Sequence, residues 1–447
     1  MKNRITEIIK RDGRKVAFEQ EKIVNAVFRA ALEVGGRDRQ LSEDLAREVV
    51  QLLNEYYHPD HTPLVEEIQD VIEKVLIENG HARTAKAYIL YRDYRKRERH
   101  RKSERQSKAT SLPYKMILET LLWNIDHGCD TTQKLNQRIR EGSFPDLVRE
   151  ADRVFEKSVR DAADAVVKAR DNLRIIIVAG PSSSGKSTTT AKLSANLNRL
   201  GIETVPLNLD HYFFDLEMHP KDKHGDYDFE QPVALDIALI NEHLERLVRG
   251  ETVQMPRYDF SVGRRFDNGE VIAIKPEQVI VLDTLHGLHE PMTRSVPDDQ
   301  KFKIYIETIA QLRDSHNKWT RWADIRLLRR MVRDNAKRGY DPMQTIGHWH
   351  YVRRSELKHI IPMIHSVDYV LNGSLPYELP YMKKHLYHFF PEFIDIWKND
   401  PSRRDAYLRA ERIYNLLSEI DQYDDESILP QDCLLREFIG GSKLKLH

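Results

Sequence analysis

Residues 174–188 read RIIIVAGPSSSGKST. The run Arg174–Ala179 is apolar and β-branched after its first residue and too short for a buried helix, so it reads as a buried strand. Gly180–Ser187 then fits the spacing GxxxxGK followed by Ser or Thr. Beyond it Ala191, Leu193, Leu197 and Leu200 recur at helical spacing before a stop at Gly201. A strand, a glycine-bounded loop and a helix, in that order, make a phosphate cradle, because amides converge on the anion and the helix lends its positive end. Gly180 and Gly185 permit that convergence, Ser182, Ser183, Ser184 and Thr188 belong to the same run, Lys186 neutralises β- and γ-phosphates, and Ser187 offers a hydroxyl to magnesium. The expected ligands are ATP and Mg2+. The motif specifies a nucleotide but no acceptor, so an ATPase or GTPase motor fits it as well.

Working outward, short apolar runs alternate with amphipathic helices from Asn172 onward: RIIIVAG, TVPLNLD, QVIVLD, KIYIE and VDYVLN. This rhythm predicts an α/β domain over 171–447, a doubly wound, mainly parallel sheet of the P-loop NTPase class. Ligands of such sheets sit at the carboxyl edge of the strands. TVPLNLD ends there on Asp210, placed either as general base for an acceptor hydroxyl or as a helix cap or magnesium–water ligand. QVIVLD ends on Asp283, which has the form of a carboxylate holding magnesium through water, with a plain strand-end turn as the alternative. In DIRLLRRMVRDNAKRG, at 324–339, Arg326, Arg330, Arg333 and Lys337 share one helix face. Like charges at that spacing cost roughly a few tenths of a kcal/mol per pair. A triphosphate would compensate them, which makes Arg326, Arg330 and Arg333 candidates for a cationic lid, against the alternative of a solvated face.

Towards the amino terminus, ITEIIKRDGRKVAF at 5–18 places apolar residues on both sides of Asp12-Gly13 and predicts a hairpin. Three helical patterns follow: Ile23, Val27, Ala30 and Val34; Leu45, Val49 and Leu52; and Leu64, Ile68, Val71 and Val75. A basic run from Arg92 to Lys108, with YRKRERHRKSERQSK at its heart, has no apolar stripe to bury and reads as a solvated helix extension or linker. From Pro113 to Arg170 the pattern is helical again, with Leu118, Leu121 and Leu122 early and Val154, Val159, Ala162, Ala163 and Val166 late. The expected domains are a small, mainly helical unit at 1–95, a basic linker and helical connector at 96–170, and the α/β unit at 171–447.

The composition, 40% hydrophobic and 31% charged with a formal net charge of +0, is that of a soluble protein without a global field for nucleic acid. Cys129 and Cys433 are distant and form no CxxC pair, which argues against a disulfide framework or a thiolate zinc site. With no apolar run of spanning or signal-peptide length, a cytoplasmic protein without membrane attachment is expected.

Over residues 174–376 the ordered motifs carry a family resemblance: the P-loop, Asp210 with Tyr212 and Phe213, PVALD at 232–236, MPRYDF at 255–260, Asp283, and the arginine-rich helix. At these residues the chain resembles the uridine kinase and phosphoribulokinase branch of P-loop kinases. The resemblance implies Asp210 as the base that takes the acceptor proton, with Tyr212 on the substrate side. It implies a ribose-binding acid at Asp228 or Glu230, and nucleoside-pocket aromatics at Tyr258 and Phe260. Two departures stand out. Ser261, Val262 and Gly263 replace the histidine with which uridine kinases help to read the pyrimidine, and Asp283-Thr284 replaces a Glu-Gly pair. GDYDFE, KFKIYIETIAQL, YVRRSELKHIIP, LNGSLPYEL and LLREFIGGS extend the resemblance, to a subgroup of uridine kinase-like proteins, as far as Ser442. At the other end, IIKRDGRKVAF, KIVNAVFRAA, VEEIQDVIEKVL and AKAYILYRDYR make the first 95 residues similar to the ATP-cone, a nucleotide-sensing domain. That likeness implies ATP or dATP as effector, with Lys10, Arg11, Lys22 and Lys86 as phosphate contacts.

Two functional expectations follow, with a weaker third behind them. The first is a Mg-ATP-dependent kinase acting on a hydroxyl of a small molecule, a nucleoside or sugar. The second is a nucleotide-sensing regulator with weak or no kinase activity, whose homo-oligomeric mass would respond to nucleotide. A transcriptional repressor is suggested only by one ATP-cone family, and the paired cysteines of that family's zinc ribbon are not in this sequence.

Overall fold

The computed structural model describes residues 4–10, 14–57, 62–89, 113–169, 172–219, 230–259, 262–337 and 339–444. The chain divides into two compact units, Met1–Ala109 and Thr110–His447. In the smaller unit β1 (Glu7–Ile9) and β2 (Lys15–Ala17) pair antiparallel, with Ile8 opposite Val16. The Asp12-Gly13 turn itself lies outside the described residues. Three helices follow, α1 (Gln20–Glu33), α2 (Arg39–Tyr56) and α3 (Val65–Glu78), then a helix over 82–89 (α4). Asp38 starts α2 by accepting from the Leu41 amide at 3.0 Å, an ordinary N-cap. Their core is built from the helical spacings of the sequence: Ile23, Val27 and Ala30 against Leu45, Val49, Ile68, Val71 and Val75. Val34 and Leu64 sit at helix caps and stay exposed.

The larger unit begins with α5 (Tyr114–Asp126), α6 (Thr132–Arg140) and α7 (Phe144–Lys168), followed by β3 (Ile175–Ala179), α8 (Lys186–Arg199), β4 (Thr204–Asn208) and α9 (Ile237–Val248). Two small antiparallel pairs come next: β5 (Val253–Gln254) with β8 (Val271–Ile272), and β6 (Arg257–Asp259) with β7 (Arg264–Phe266). Then come β9 (Val279–Thr284), β10 (Lys301–Glu307), α10 (Trp322–Lys337), α11 (Pro342–Ser355), β11 (Tyr369–Asn372), α12 (Glu378–Leu386), α13 (Phe390–Trp397), α14 (Arg404–Ser418) and α15 (Arg436–Ile439).

Among the described residues, five strands form one parallel sheet in the order β11-β10-β3-β9-β4. Its first strand in sequence lies in the middle, so successive crossovers leave on both sides and a crevice opens at the carboxyl end of β3. Alternation along β3 divides the core. Ile176 and Val178 face a layer containing Phe155, Val159, Leu193 and Leu197, while Ile175, Ile177 and Ala179 face Ile240, Leu244 and Leu247 of α9. Pro206 is accommodated because β4 is an edge strand, where a missing amide breaks no internal ladder. The segment set apart as a connector is part of this architecture: Val159, Ala162, Ala163 and Val166 of α7 belong to the sheet's own core. On α5, by contrast, Leu118 and Leu122 are exposed. No helix among the described residues is long and apolar enough to cross a membrane.

One buried ion pair joins α10 to α12 and to the turn after β11. Arg329 of α10, 0% exposed, donates through Nε to Glu378 Oε2 (2.6 Å) and through Nη2 to Glu378 Oε1 (3.0 Å) and the Gly373 carbonyl (2.6 Å). Removing one member of such a pair strands a buried charge, whereas replacing both by apolar residues removes the desolvation cost as well. Glu378→Ala is expected to destabilise the larger unit by about 3–5 kcal/mol in urea denaturation, and an Arg329→Met/Glu378→Leu double variant to recover most of that loss.

Candidate active site

β3 stops at Ala179 and α8 starts at Lys186, which leaves Gly180–Gly185 as the loop between them. Gly180 has no room for a side chain, since a Cβ there would meet the Ile306 carbonyl oxygen at 2.3 Å. Ser183 (φ 60°) and Gly185 (φ 99°) are both left-handed. Left-handed residues set among right-handed ones turn successive amides to one side. The loop's carbonyls are held by cations. Lys186 Nζ donates to the carbonyls of Gly180 (3.1 Å) and Pro181 (3.2 Å), Arg326 Nη1 to that of Ser182 (3.2 Å), and Arg329 Nη1 to that of Ser184 (3.4 Å). Inside, the hydroxyls of Ser183, Ser184 and Thr188 are buried without a hydrogen-bond partner. Orphaned hydroxyls beside converging amides fit an oxygen-rich anion such as a triphosphate.

Ser187 Oγ donates to Asp283 Oδ2 at 2.8 Å, joining the start of α8 to the end of β9. Asp283 is only 9% exposed. Burial pushes its carboxyl up from an ordinary 3.8 to about 6; Lys186 and the Ser187 hydrogen bond oppose the shift, while the nearby carboxylates of Asp210 and Glu437 add to it. A hydroxyl and a buried carboxylate at this spacing are a donor set suited to a hard divalent cation. Asp210 follows two residues after Asn208, which is in register with Asp283 on the neighbouring strand. It stands on a 3₁₀ turn, Leu209–Tyr212, and not on the strand itself, because Asn208 Oδ1 accepts from the Asp210 amide (2.9 Å) and turns the chain early. Asp210 and Asp283 therefore share the carboxyl edge of the sheet.

The arginine face of α10 separates into two environments. Arg326 is 1% exposed: its guanidinium lies 2.9 Å from Glu307 Oε1, pairs with both oxygens of Glu356, and sits over Trp349 at 5.8 Å. It faces the loop's carbonyls, so its charge is spent inside the fold and not on a lid. Arg330 is partly exposed and donates through Nη1 to Ser182 Oγ (3.2 Å) and Glu230 Oε1 (2.8 Å), and through Nε to Asp334 Oδ2 (3.2 Å). Arg333 contacts Asp334 Oδ1 (2.9 Å) and Lys337 donates to the Glu437 carbonyl (3.0 Å).

On the acceptor side, Glu230 meets the loop through Arg330, and its backbone carbonyl is hydrogen bonded to His286 Nε2 at 2.9 Å. Burial depresses His286 to about 3, so this imidazole is neutral. Tyr258 packs its ring against Phe213 (5.6 Å), and its amide donates to His211 Nδ1 (3.3 Å), next to Asp210. The structure directs Tyr212 inward instead: its hydroxyl is shared with His243 Nδ1 at 2.9 Å and its ring lies in the core. Asp228 and Phe260 lie outside the described residues. In the small unit, Lys10, Lys22 and Lys86 are all exposed, with Lys22 Nζ on Glu19 at 2.7 Å, and Arg11 lies outside the described residues. Two residues at the loop went unremarked in the sequence. Arg329 was hidden among its arginine neighbours. Glu437, within LLREFIGGS, accepts from the Thr188 amide at 3.0 Å.

Residues 6–97 match the ATP cone domain model, and residues 175–376 match the model of the Phosphoribulokinase / Uridine kinase family. A uridine kinase of Staphylococcus haemolyticus is 33% identical over 168 residues, covering 38% of this chain and 72% of that protein. A uridine kinase of Deinococcus deserti is 28% identical over 198 residues, covering 44% of this chain and 86% of the other. Among solved structures, a putative fructose transport system kinase from Silicibacter covers 47% of this chain and 98% of its own, at 16% identity and a TM-score of 0.35.

The crowding of Asp283 has a consequence for stability. Its folded-state pKa, about 6, exceeds its ordinary value, so between those two pH values the folded chain binds more protons than the unfolded one and this group's contribution to stability grows as pH falls. In EDTA at neutral pH, Asp283→Asn is expected to raise the thermal midpoint above that of the unsubstituted protein. The advantage should shrink as pH drops through about 6, as calorimetric scans across pH would read directly.

Proposed function

Because the chain belongs to the phosphoribulokinase/uridine kinase family, we propose that it transfers the γ-phosphoryl group of ATP to a hydroxyl of a nucleoside. The observation that carries this reading is the Ser187–Asp283 hydrogen bond at the mouth of the phosphate loop, with Asp210 on the same sheet edge. The triphosphate lies along the amides of Ser183, Gly185 and the start of α8, and Lys186 exchanges the loop carbonyls for β- and γ-oxygens. Ser187 and Asp283 are the residues that would hold magnesium, which supplies neutralisation of charge on the phosphate oxygens. Asp210 accepts the proton of the acceptor hydroxyl as its oxygen bonds to the γ-phosphorus and the bond to the β,γ-bridging oxygen breaks, leaving ADP. Arg330 and Arg333, partly exposed, trade carboxylate partners for the transferring group. Phe213 and Tyr258 offer aromatic faces to a base, and Glu230, with Asp228 as the alternative, a carboxylate to ribose hydroxyls.

A second reading concerns the amino-terminal unit and rests on its match to the ATP cone domain model. In that reading ATP or dATP binds near Lys10, Arg11, Lys22 and Lys86 and alters the kinase unit or the oligomeric state. Reciprocity decides it: effector and acceptor must change each other's affinity by the same factor.

Screening the full chain for acceptor-dependent ADP release, with and without dATP, tests both readings. With the best acceptor, Asp210→Asn is expected to lower kcat by about 10²–10⁴-fold while ADP affinity stays near that of the unsubstituted protein. Lys186→Ala is expected to lower kcat/KM by at least about 10²-fold. Turnover in Lys186→Ala equal to the original would refute the kinase reading.

A further inference from the structure

After α14 the chain returns to the phosphate loop and docks there at several points. Asp432 reaches Lys192 of α8 at 3.2 Å. Cys433, Leu434, Leu435 and Phe438 are all buried in the sheet's core. Leu434 lies directly on Gly185, where a Cβ would come within 2.6 Å of it. Phe438 packs under the Arg329 guanidinium at 5.0 Å, and Lys337 donates to the Glu437 carbonyl at 3.0 Å. These contacts leave the Glu437 side chain aimed at the start of α8, where Oε2 accepts from the Thr188 amide at 3.0 Å. Thr188 is the third residue of a 14-residue helix. Its amide is one of the first-turn donors that have no partner within the helix and are free to bind an anion.

A carboxylate is an odd occupant for this position. Asp283 and Asp210 already crowd the same edge, and Glu437 adds a third negative charge that Asp283 feels. One N–H cannot serve a carboxylate and a phosphate oxygen together, and two anions at that spacing repel. We propose that Glu437 is an internal competitor for nucleotide phosphate. It takes the Thr188 amide in the nucleotide-free protein and must swing away when a phosphate enters, so the carboxyl-terminal segment sets how tightly the loop holds nucleotide. This inference rests on the reading that Gly180–Thr188 binds ATP.

The test is titration calorimetry of the full chain with ADP in EDTA, with adenosine as a ligand lacking phosphate. Glu437→Gln keeps the shape and removes the charge, and is expected to tighten ADP binding roughly three- to thirtyfold, with no gain for adenosine. Glu437→Asp withdraws the carboxylate by one methylene and is expected to tighten ADP binding as well, which covers a failure of the glutamine variant to fold. ADP affinity that is unchanged or weaker in both variants, while Lys186→Ala still abolishes binding, overturns the competitor role and leaves the nucleotide site standing. Equal tightening for adenosine also overturns it. ADP binding that Lys186→Ala leaves untouched would remove the nucleotide from the loop, and the proposal with it.

Discussion

The geometry of the phosphate loop is imposed from behind by two buried guanidinium groups. Arg326 and Arg329 hold the carbonyls of Ser182 and Ser184, which turns the amides of Ser183 and Gly185, across the same two peptide planes, the other way, while the Ser184 amide is held by the Pro181 carbonyl at 3.2 Å. A buried charge costs several kcal/mol unless its donors are used. Here Glu307 and Glu356 serve Arg326, and Glu378 and the Gly373 carbonyl serve Arg329. Ser183 is kept at a positive φ, a conformation that persists only when its surroundings over-determine it. With the loop set in this way, α8 begins in the right place for Ser187 to reach Asp283, and the two strand-end acids come to share one edge.

The same constraint explains how α10 tolerates so many like charges on one face. Asp334 of the helix itself serves Arg330 and Arg333, and the other counter-charges come from elsewhere in the chain: Glu307 at the end of β10, Glu356 just after α11, Glu378 at the start of α12, and Glu230 ahead of α9. A stripe that repels itself on an isolated helix becomes part of the core once these acids converge on it. Only its outer members, Arg330, Arg333 and Lys337, stay within reach of solvent.

Both departures from the uridine kinase pattern have packing explanations. Gly263 closes the β6–β7 hairpin at φ 66°, its carbonyl accepts from the Leu216 amide at 2.8 Å, and a Cβ there would meet Leu216 at 2.8 Å. The position is shaped by the loop lying on it. After Asp283 the close approach to β3 is made by Gly287, whose Cβ would sit 2.4 Å from Ile177, so a bulkier Thr284 is accommodated. Beyond them lie the neutral His286 and the packed rings of Tyr258 and Phe213.

What the sequence determined by itself is local. The apolar run before Gly180 is a central strand because it has no polar face to give to water. The glycines of the loop mark places where a side chain has no room or the backbone turns left-handed. The helical spacings of Ile23, Val27 and Ala30, or of Val159 and Val166, name the faces that are buried. Asp283 was legible because it ends such a strand, and Asp210 because it lies just past one. Only the tertiary structure decided which cations are buried and which stay within reach of solvent. Arg326 and Arg330 are four residues apart on one helix face and chemically identical, yet the carboxylates that separate them come from distant elements, and no periodicity records that convergence. Tyr212 turned inward for the same reason, its partner His243 being on α9. The placement of Glu437 on the Thr188 amide belongs here too. It depends on a docking of residues 249 positions apart, which follows from the packing of Leu434 and Phe438 and not from any motif in either segment.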